Sequence, residues 1–110
     1  MAMTLPHASL TVPASNGNGA AQAYEGSWCS VACYGTFDGA TVYLEVSYDN
    51  GTTWMQAKES GGVNNVSFLA NGVVPMVGFG GNPLVRARVA GSSGATAVVL
   101  ELHYGAALIY

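Results

Sequence analysis

Eight consecutive residues, Thr41 to Tyr48, alternate strictly and run straight into Asp49-Asn50-Gly51, and this coupling of pattern to turn constrains the chain more than any other feature. Val42, Leu44, Val46 and Tyr48 fall on one face, and Thr41, Tyr43, Glu45 and Ser47 on the other. A period of two fits a half-buried strand and no helix. Asp49 offers its carboxylate to the amides that follow it, while Asn50 and Gly51 tolerate the positive φ of a short hairpin turn. The register of the flanking strands is therefore expected to be set locally, with Trp54 stapled beneath the turn.

The octapeptide Ser47-Tyr48-Asp49-Asn50-Gly51-Thr52-Thr53-Trp54 resembles the Asp-box, S-x-D-x-G-x-T-W, matched at Ser47, Asp49, Gly51, Thr53 and Trp54. That motif marks a structural turn, not an activity. In sialidases and other β-propellers it recurs from blade to blade away from the active site, and it also occurs in unrelated β-rich extracellular and virion proteins. This chain contains it once. A propeller needs several blades of roughly 40 to 50 residues each, so length and repeat count both exclude one. A sialidase also needs a cluster of arginines to clamp a carboxylate, and only Arg86 and Arg88 are present.

At 110 residues the chain has the size of one domain, near the common range of about 100 to 150. Only 8% of it is charged and 50% is apolar, against a usual charged share of about 25%. Either another molecule covers much of the surface, or the solvent face is built from Ser, Thr, Asn and Gly. The net charge of −3, with one lysine and two arginines, argues against nucleic acid, whose phosphates draw affinity from several cationic contacts. It argues equally against a basic membrane-docking surface. No stretch approaches the roughly 18 apolar residues of a spanning helix, and Met1 to Leu10 lacks the basic and hydrophobic regions of a secretory signal. A soluble protein without an export signal is the expectation.

Short apolar runs separated by Gly-rich turns, with no 3.6-residue period, indicate an all-β fold: an antiparallel β-sandwich or jelly roll of about seven or eight strands. Residues 1–25 hold a short strand, Ala8 to Val12, then a run of small and polar residues with few large apolar groups, and read as an N-terminal arm or edge segment. Residues 26–110 read as the sandwich. Its strands are expected from Gly26 to Phe37, ending at the Asp38-Gly39 hairpin signal, then Thr41 to Tyr48, Thr53 to Lys58 and Val63 to Leu69. Val73 to Phe79 is broken by Pro75 and Gly78 and suits an irregular edge or a partner-facing stretch. Leu84 to Ala90 and Ala95 to Tyr104 are expected to pair through Gly91-Ser92-Ser93-Gly94, with Val85, Ala87 and Val89 inward and Arg86 and Arg88 outward.

No constellation points to catalysis. The carboxylates Glu25, Asp38, Glu45, Asp49, Glu59 and Glu101 are scattered over turns and outward faces. Glu45 and Glu101 make a glycosidase-like pair only if their strands are neighbours, and Arg86 or Arg88 are equally suitable ion-pair partners. His7 and His103 lack a nucleophile in a strained turn. Cys29 and Cys33, in one strand, share a face about 13 Å apart, too far for a disulfide. With no further closely spaced ligands they are expected to be reduced core residues, not a metal site. No enzyme, cofactor or metal is expected. Trp28, Tyr34, Tyr43, Trp54 and Tyr104 are enough rings for a sugar-stacking platform; the favoured alternative puts Trp28 and Trp54 in the core and the tyrosines at its rim.

Taken whole, residues 26 to 104 resemble the small virion proteins of tailed bacteriophages. They are rich in Gly, Ala, Ser and Thr and almost free of lysine, with Phe37-Asp38-Gly39-Ala40-Thr41-Val42-Tyr43-Leu44-Glu45 leading into the boxed turn and a late Val85-Arg86-Ala87-Arg88 strand. The resemblance implies a non-enzymatic capsid decoration or cement protein, or a related head or tail module. Such a protein is assembled in the host cytoplasm into the virion and binds the major capsid protein or another virion protein, commonly as a homo-oligomer with a trimer favoured. Candidate interface residues are Val74, Met76 and Phe79, with Leu108, Ile109 and Tyr110 of the uncharged C-terminus. The competing expectation is a carbohydrate-binding module of a tail or fibre; a fragment of a secreted hydrolase is a weaker third.

Overall fold

The alternating stretch folds as a strand over Thr41–Ser47 whose inward side chains, Val42, Leu44 and Val46, are all buried. Tyr48, expected on the same face, lies past the end of that strand and is 54% exposed. The computed structural model describes residues 7–25, 28–59 and 62–105. They form ten strands: β1 (His7–Leu10), β2 (Gly17–Asn18), β3 (Gln22–Ala23), β4 (Cys29–Thr36), β5 (Thr41–Ser47), β6 (Met55–Gln56), β7 (Ser67–Phe68), β8 (Gly72–Val77), β9 (Leu84–Ala90) and β10 (Ala97–Tyr104). Four of the ten have only two residues, which is why the count exceeds the seven or eight expected. No helix occurs among the described residues.

Two antiparallel sheets pack as a β-sandwich. The first runs β1-β10-β4-β8; the second is built on β9 and β5, with β2 and β3 along one side and β6 and β7 along the other. The core lies between them. Cys29, Val31 and Cys33 from β4 and Leu100, Leu102 and Tyr104 from β10 meet Val42, Leu44 and Val46 from β5 and Val85, Ala87 and Val89 from β9. These are the inward positions that period-two patterning assigns, and Arg86 and Arg88 point outward as expected. Burial of this apolar surface, at about 25 cal/mol per Å², is the main force joining the sheets.

Two turns expected to close hairpins cross between sheets instead. Asp38 and Gly39 do adopt positive φ of 54° and 77°, and Ala40 N–H donates to Phe37 O at 2.9 Å. Yet β4 belongs to the first sheet and β5 to the second. Likewise β9 and β10, joined by residues 91–96, do not pair: β9 lies beside β5, and β10 lies between β1 and β4. A tight turn reverses the chain, but the sheet that receives the next strand is decided by long-range burial. The two crossings are strapped together, because Asp38 Oδ2 accepts from Ser93 N–H (3.1 Å) and Ala95 N–H (2.8 Å).

Among the described residues, all four sheet edges are blunted. β8 is an edge strand in which Pro75 sits in a register shift, so two residues oppose one of β4, and such a bulge disfavours further strand addition. Along β5, β6 and β7 are two halves of a broken strand, separated where Ala57 and Val66 both bond to Leu44 and to each other. The Gln56 side-chain amide plugs that junction, lying 3.1, 2.9 and 3.2 Å from the carbonyls of Leu44, Ala57 and Val66. Along β9, the two-residue β2 and β3 do the same. The remaining edge, β1, has four residues. Leu10 and Tyr24 of this early segment are core residues, so it is anchored despite its small-residue composition.

Both tryptophans lie outside the core, contrary to the favoured sequence reading. Trp28 is 39% exposed, and Trp54 is half-buried on the outer face of the second sheet. The inner aromatic cluster is Tyr24 edge-on to Phe79 and to Tyr104, with ring centroids 5.0 and 5.3 Å apart.

Candidate functional site

The boxed turn is rigid because its own side chains satisfy it. Asp49 Oδ1 accepts from Thr53 N–H (2.7 Å) and from the Ser47 hydroxyl (2.9 Å), and Ser47 Oγ in turn accepts from Gly51 N–H (2.9 Å). Asn50 and Gly51 take φ of 59° and 91°, as the sequence requires. Hydrogen bonds from Thr53 and then from Ser47 hold the Asp49 carboxyl down at about 2, well below its usual range. Trp54 closes the motif, its Nε1–H donating to Gly51 O at 3.1 Å.

From this turn an ordered row of side chains runs across the outer face of the second sheet. Strand register places Glu45 opposite Arg86 and Tyr43 opposite Arg88. Glu45 Oε1 lies 2.9 Å from Arg86 Nε and Oε2 lies 2.8 Å from Arg88 Nε. The Arg86 guanidinium stacks 4.1 Å from the Trp54 ring centre, and that of Arg88 4.1 Å from Tyr43. One carboxylate thus bridges two guanidiniums, each backed by a ring. The remaining cation, Lys58, donates to Asn65 Oδ1 at 2.8 Å. With all three cationic side chains engaged, the fold assembles no basic stripe for phosphate.

The other titratable candidates stay apart. Glu45 and Glu101 lie in different sheets, on opposite outer faces, and do not meet as an acid-base pair. Cys29 and Cys33 are free, buried thiols on one face of β4, and burial pushes Cys33 up to about 12. His7 and His103 stack across β1 and β10 with ring centres 5.3 Å apart, and His103 Nε2 lies 3.0 Å from Glu101 Oε1. Among the described residues no group of three or more His, Cys, Asp or Glu is placed to hold a metal.

The five rings offered as a sugar platform are divided. Tyr43 and Trp54 lie on the second sheet's outer face, Tyr34 on the first sheet's, Trp28 just before β4, and Tyr104 in the core. Of the candidate interface residues, Val74 and Phe79 pack against the core and Met76 is 48% exposed. Leu108, Ile109 and Tyr110 fall outside the described residues. The structure adds residues that alternation alone does not single out. On the first sheet's outer face, Val99 pairs with the exposed Tyr34, and Val73, beside Ala32, is also exposed. At the turn end of the sandwich, Tyr48 stands between two hollows. One, of about 320 Å³, is lined by Ser47, Asn50, Asn82, Pro83 and Leu84; the other, of about 280 Å³, by Asp49, Thr53 and Met55. Its position right after the last buried residue of β5, beside a turn that redirects the chain, was the available sequence signal. No protein family, curated protein or solved structure matches the chain.

Proposed function

We propose that this chain is a non-enzymatic structural protein of a bacteriophage virion, of the capsid decoration or cement type, which acts by protein-protein contact. The resemblance of residues 26 to 104 to small virion proteins supplies the setting. The observation that carries the mode of action is the contrast between edges and faces. The edges are short, broken or bulged at Pro75, whereas the first sheet's outer face carries Tyr34, Val73 and Val99 in the open, with Met76 exposed nearby. Association therefore uses a face, where buried apolar surface contributes roughly 25 cal/mol per Å² before association costs are subtracted. Residues 7–25 already run along the edges of both sheets and are not the docking element. The partners are further copies of the chain, as a trimer, and the major capsid protein.

The test is light scattering of the full chain, together with co-sedimentation on shells assembled from the major capsid protein of the same genome. The expected result is an oligomer that decorates shells. A Val73→Glu, Met76→Glu variant should lose both properties while its melting changes little, because exposed substitutions stay within about 0.5 kcal/mol each. A monomer at every concentration that leaves shells bare overturns the reading.

A further inference from the structure

We propose that Tyr48, with the hollows on either side of it, binds a neutral sugar ring. This site lies at the turn end of the second sheet, away from the proposed docking face, and does not rest on that reading. Tyr48 is the most exposed aromatic side chain among the described residues, at 54%, against 42% for Tyr34 and 39% for Trp28. It borders both hollows, of about 320 and 280 Å³. Each is of the size of one or two sugar rings rather than of an extended peptide.

The lining has the chemistry of hydroxyl recognition. A pyranose presents an apolar C–H face, which an aromatic ring accepts by stacking, and a rim of hydroxyls that both donate and accept. On one side of Tyr48 stand Asn50 and Asn82, whose amides each supply donor and acceptor atoms,. On the other stands Asp49, whose carboxylate is held in place by Ser47 and Thr53 and, with more acceptor sites than those bonds fill, presents further acceptor capacity from a fixed turn. Because the turn is locked by its own hydrogen bonds, the wall it contributes to both hollows is preformed, and binding does not bear the cost of ordering that wall.

Charge selects neutral over acidic sugars. The chain carries −3 overall, and Asp49 keeps its own negative charge at the site. No Lys or Arg lines either hollow, so no cation within the site offsets the repulsion of a carboxylate or sulfate. The site contains a single carboxylate, Asp49, whereas glycoside cleavage uses two. Retention, not hydrolysis, is the assigned role.

The experiment presents the full chain to an array of neutral, sialylated and sulfated glycans, followed by NMR titration with the best neutral oligosaccharide. Binding of neutral glycans is expected, with shifts centred on Tyr48, Asn50 and Asn82. Tyr48→Ala should weaken binding at least about tenfold and Tyr48→Phe should largely retain it, with unchanged melting in both. Tyr34→Ala, on the other sheet's face, serves as the control and should bind like the parent. Absence of neutral-glycan binding, a preference for acidic glycans, or equal loss in Tyr34→Ala and Tyr48→Ala each overturns the proposal. None of these results alters whether the chain decorates a shell, so the two readings fail separately.

Discussion

Glu45 is the keystone of the second sheet's outer face, and Glu45→Gln isolates its charge without changing its shape. In the native row each carboxylate oxygen serves one guanidinium, Oε1 to Arg86 at 2.9 Å and Oε2 to Arg88 at 2.8 Å, and the Glu45 side chain is 11% exposed. The amide keeps one acceptor and turns an NH₂ toward the other guanidinium, donor against donor. A hydrogen bond to a charged group contributes about 1.5 to 3 kcal/mol when shielded, and the Arg86 side chain, 18% exposed, is the better shielded. Arg88 is 35% exposed, so its share is screened toward the roughly 0.2 to 1 kcal/mol of a surface pair. The two arginines, held side by side by their rings, would also repel once the bridge is neutral. Together these give a loss of about 2 to 3 kcal/mol, or a melting temperature lower by about 8 to 12 °C for a domain of this size. Urea unfolding followed by tryptophan fluorescence measures it, with the same substitution repeated on an Arg86→Met, Arg88→Met background. On that background the cost should fall below about 1 kcal/mol. A loss under about 0.5 kcal/mol in the parent, or an undiminished loss in the background, would refute the bridging account.

Further outcomes follow from single groups. Asp49 has a folded pKa of about 2 against roughly 3.9 in an unfolded chain, so its contribution is present above pH 4 and is lost as pH falls toward 2. Acid titration of stability should show that loss in the parent and a flatter profile in Asp49→Asn. The Tyr24 hydroxyl is buried with no stronger partner than the weakly polar Cys29 thiol beside it. Tyr24→Phe should therefore change stability by no more than about 0.5 kcal/mol or raise it, whereas Tyr104→Phe, which removes the acceptor for Glu25 N–H at 3.2 Å, should cost about 1 kcal/mol by thermal melting. Burial raises both thiols, Cys33 to about 12, so a disulfide-exchange reagent should label neither in the native protein and both in denaturant. Gly35, at φ 134° with its missing Cβ aimed at the Ala97 carbonyl, should not tolerate alanine, which is expected to cost about 1 to 3 kcal/mol in the same urea assay.

What the sequence discloses is governed by the range of the interaction involved. The boxed turn is legible down to its hydrogen bonds, because Ser47, Asp49, Gly51 and Thr53 lie within seven residues of chain. The inward faces of β5, β9 and β10 are legible too, since a period of two needs only that one side be buried. Sheet membership is not. Asp38-Gly39 turns the chain as its composition demands, yet β4 and β5 part company there, because each finds its partner far along the chain: β10 for β4 and β9 for β5. The placement of the tryptophans is hidden for a similar reason. Trp54 is drawn onto the outer face by an arginine in β9, 32 positions further on, and only the β5–β9 register reveals that encounter. Pro75 and Met76 are both exposed because the bulge there shifts the period, a displacement that alternation counted from either end does not show.

The two outer faces solve opposite problems with the same scarce charges. Three cations and six acidic residues serve 110 positions, and the chain spends its arginines on one sheet, where Glu45 ties them to Tyr43 and Trp54. That face presents an ordered polar row in which both guanidiniums share one carboxylate and each is backed by a ring. The opposite face receives no Lys or Arg on its strands and shows Tyr34, Val73 and Val99 to solvent instead. Were both faces meant only to meet water, an even distribution of charge would serve solubility better. The asymmetry has a physical consequence that can be tested by exchange: moving charge onto the first sheet with Val99→Lys should raise solubility and leave stability nearly unchanged if that face is free in the assembled state. If that face is covered, the same substitution abolishes assembly.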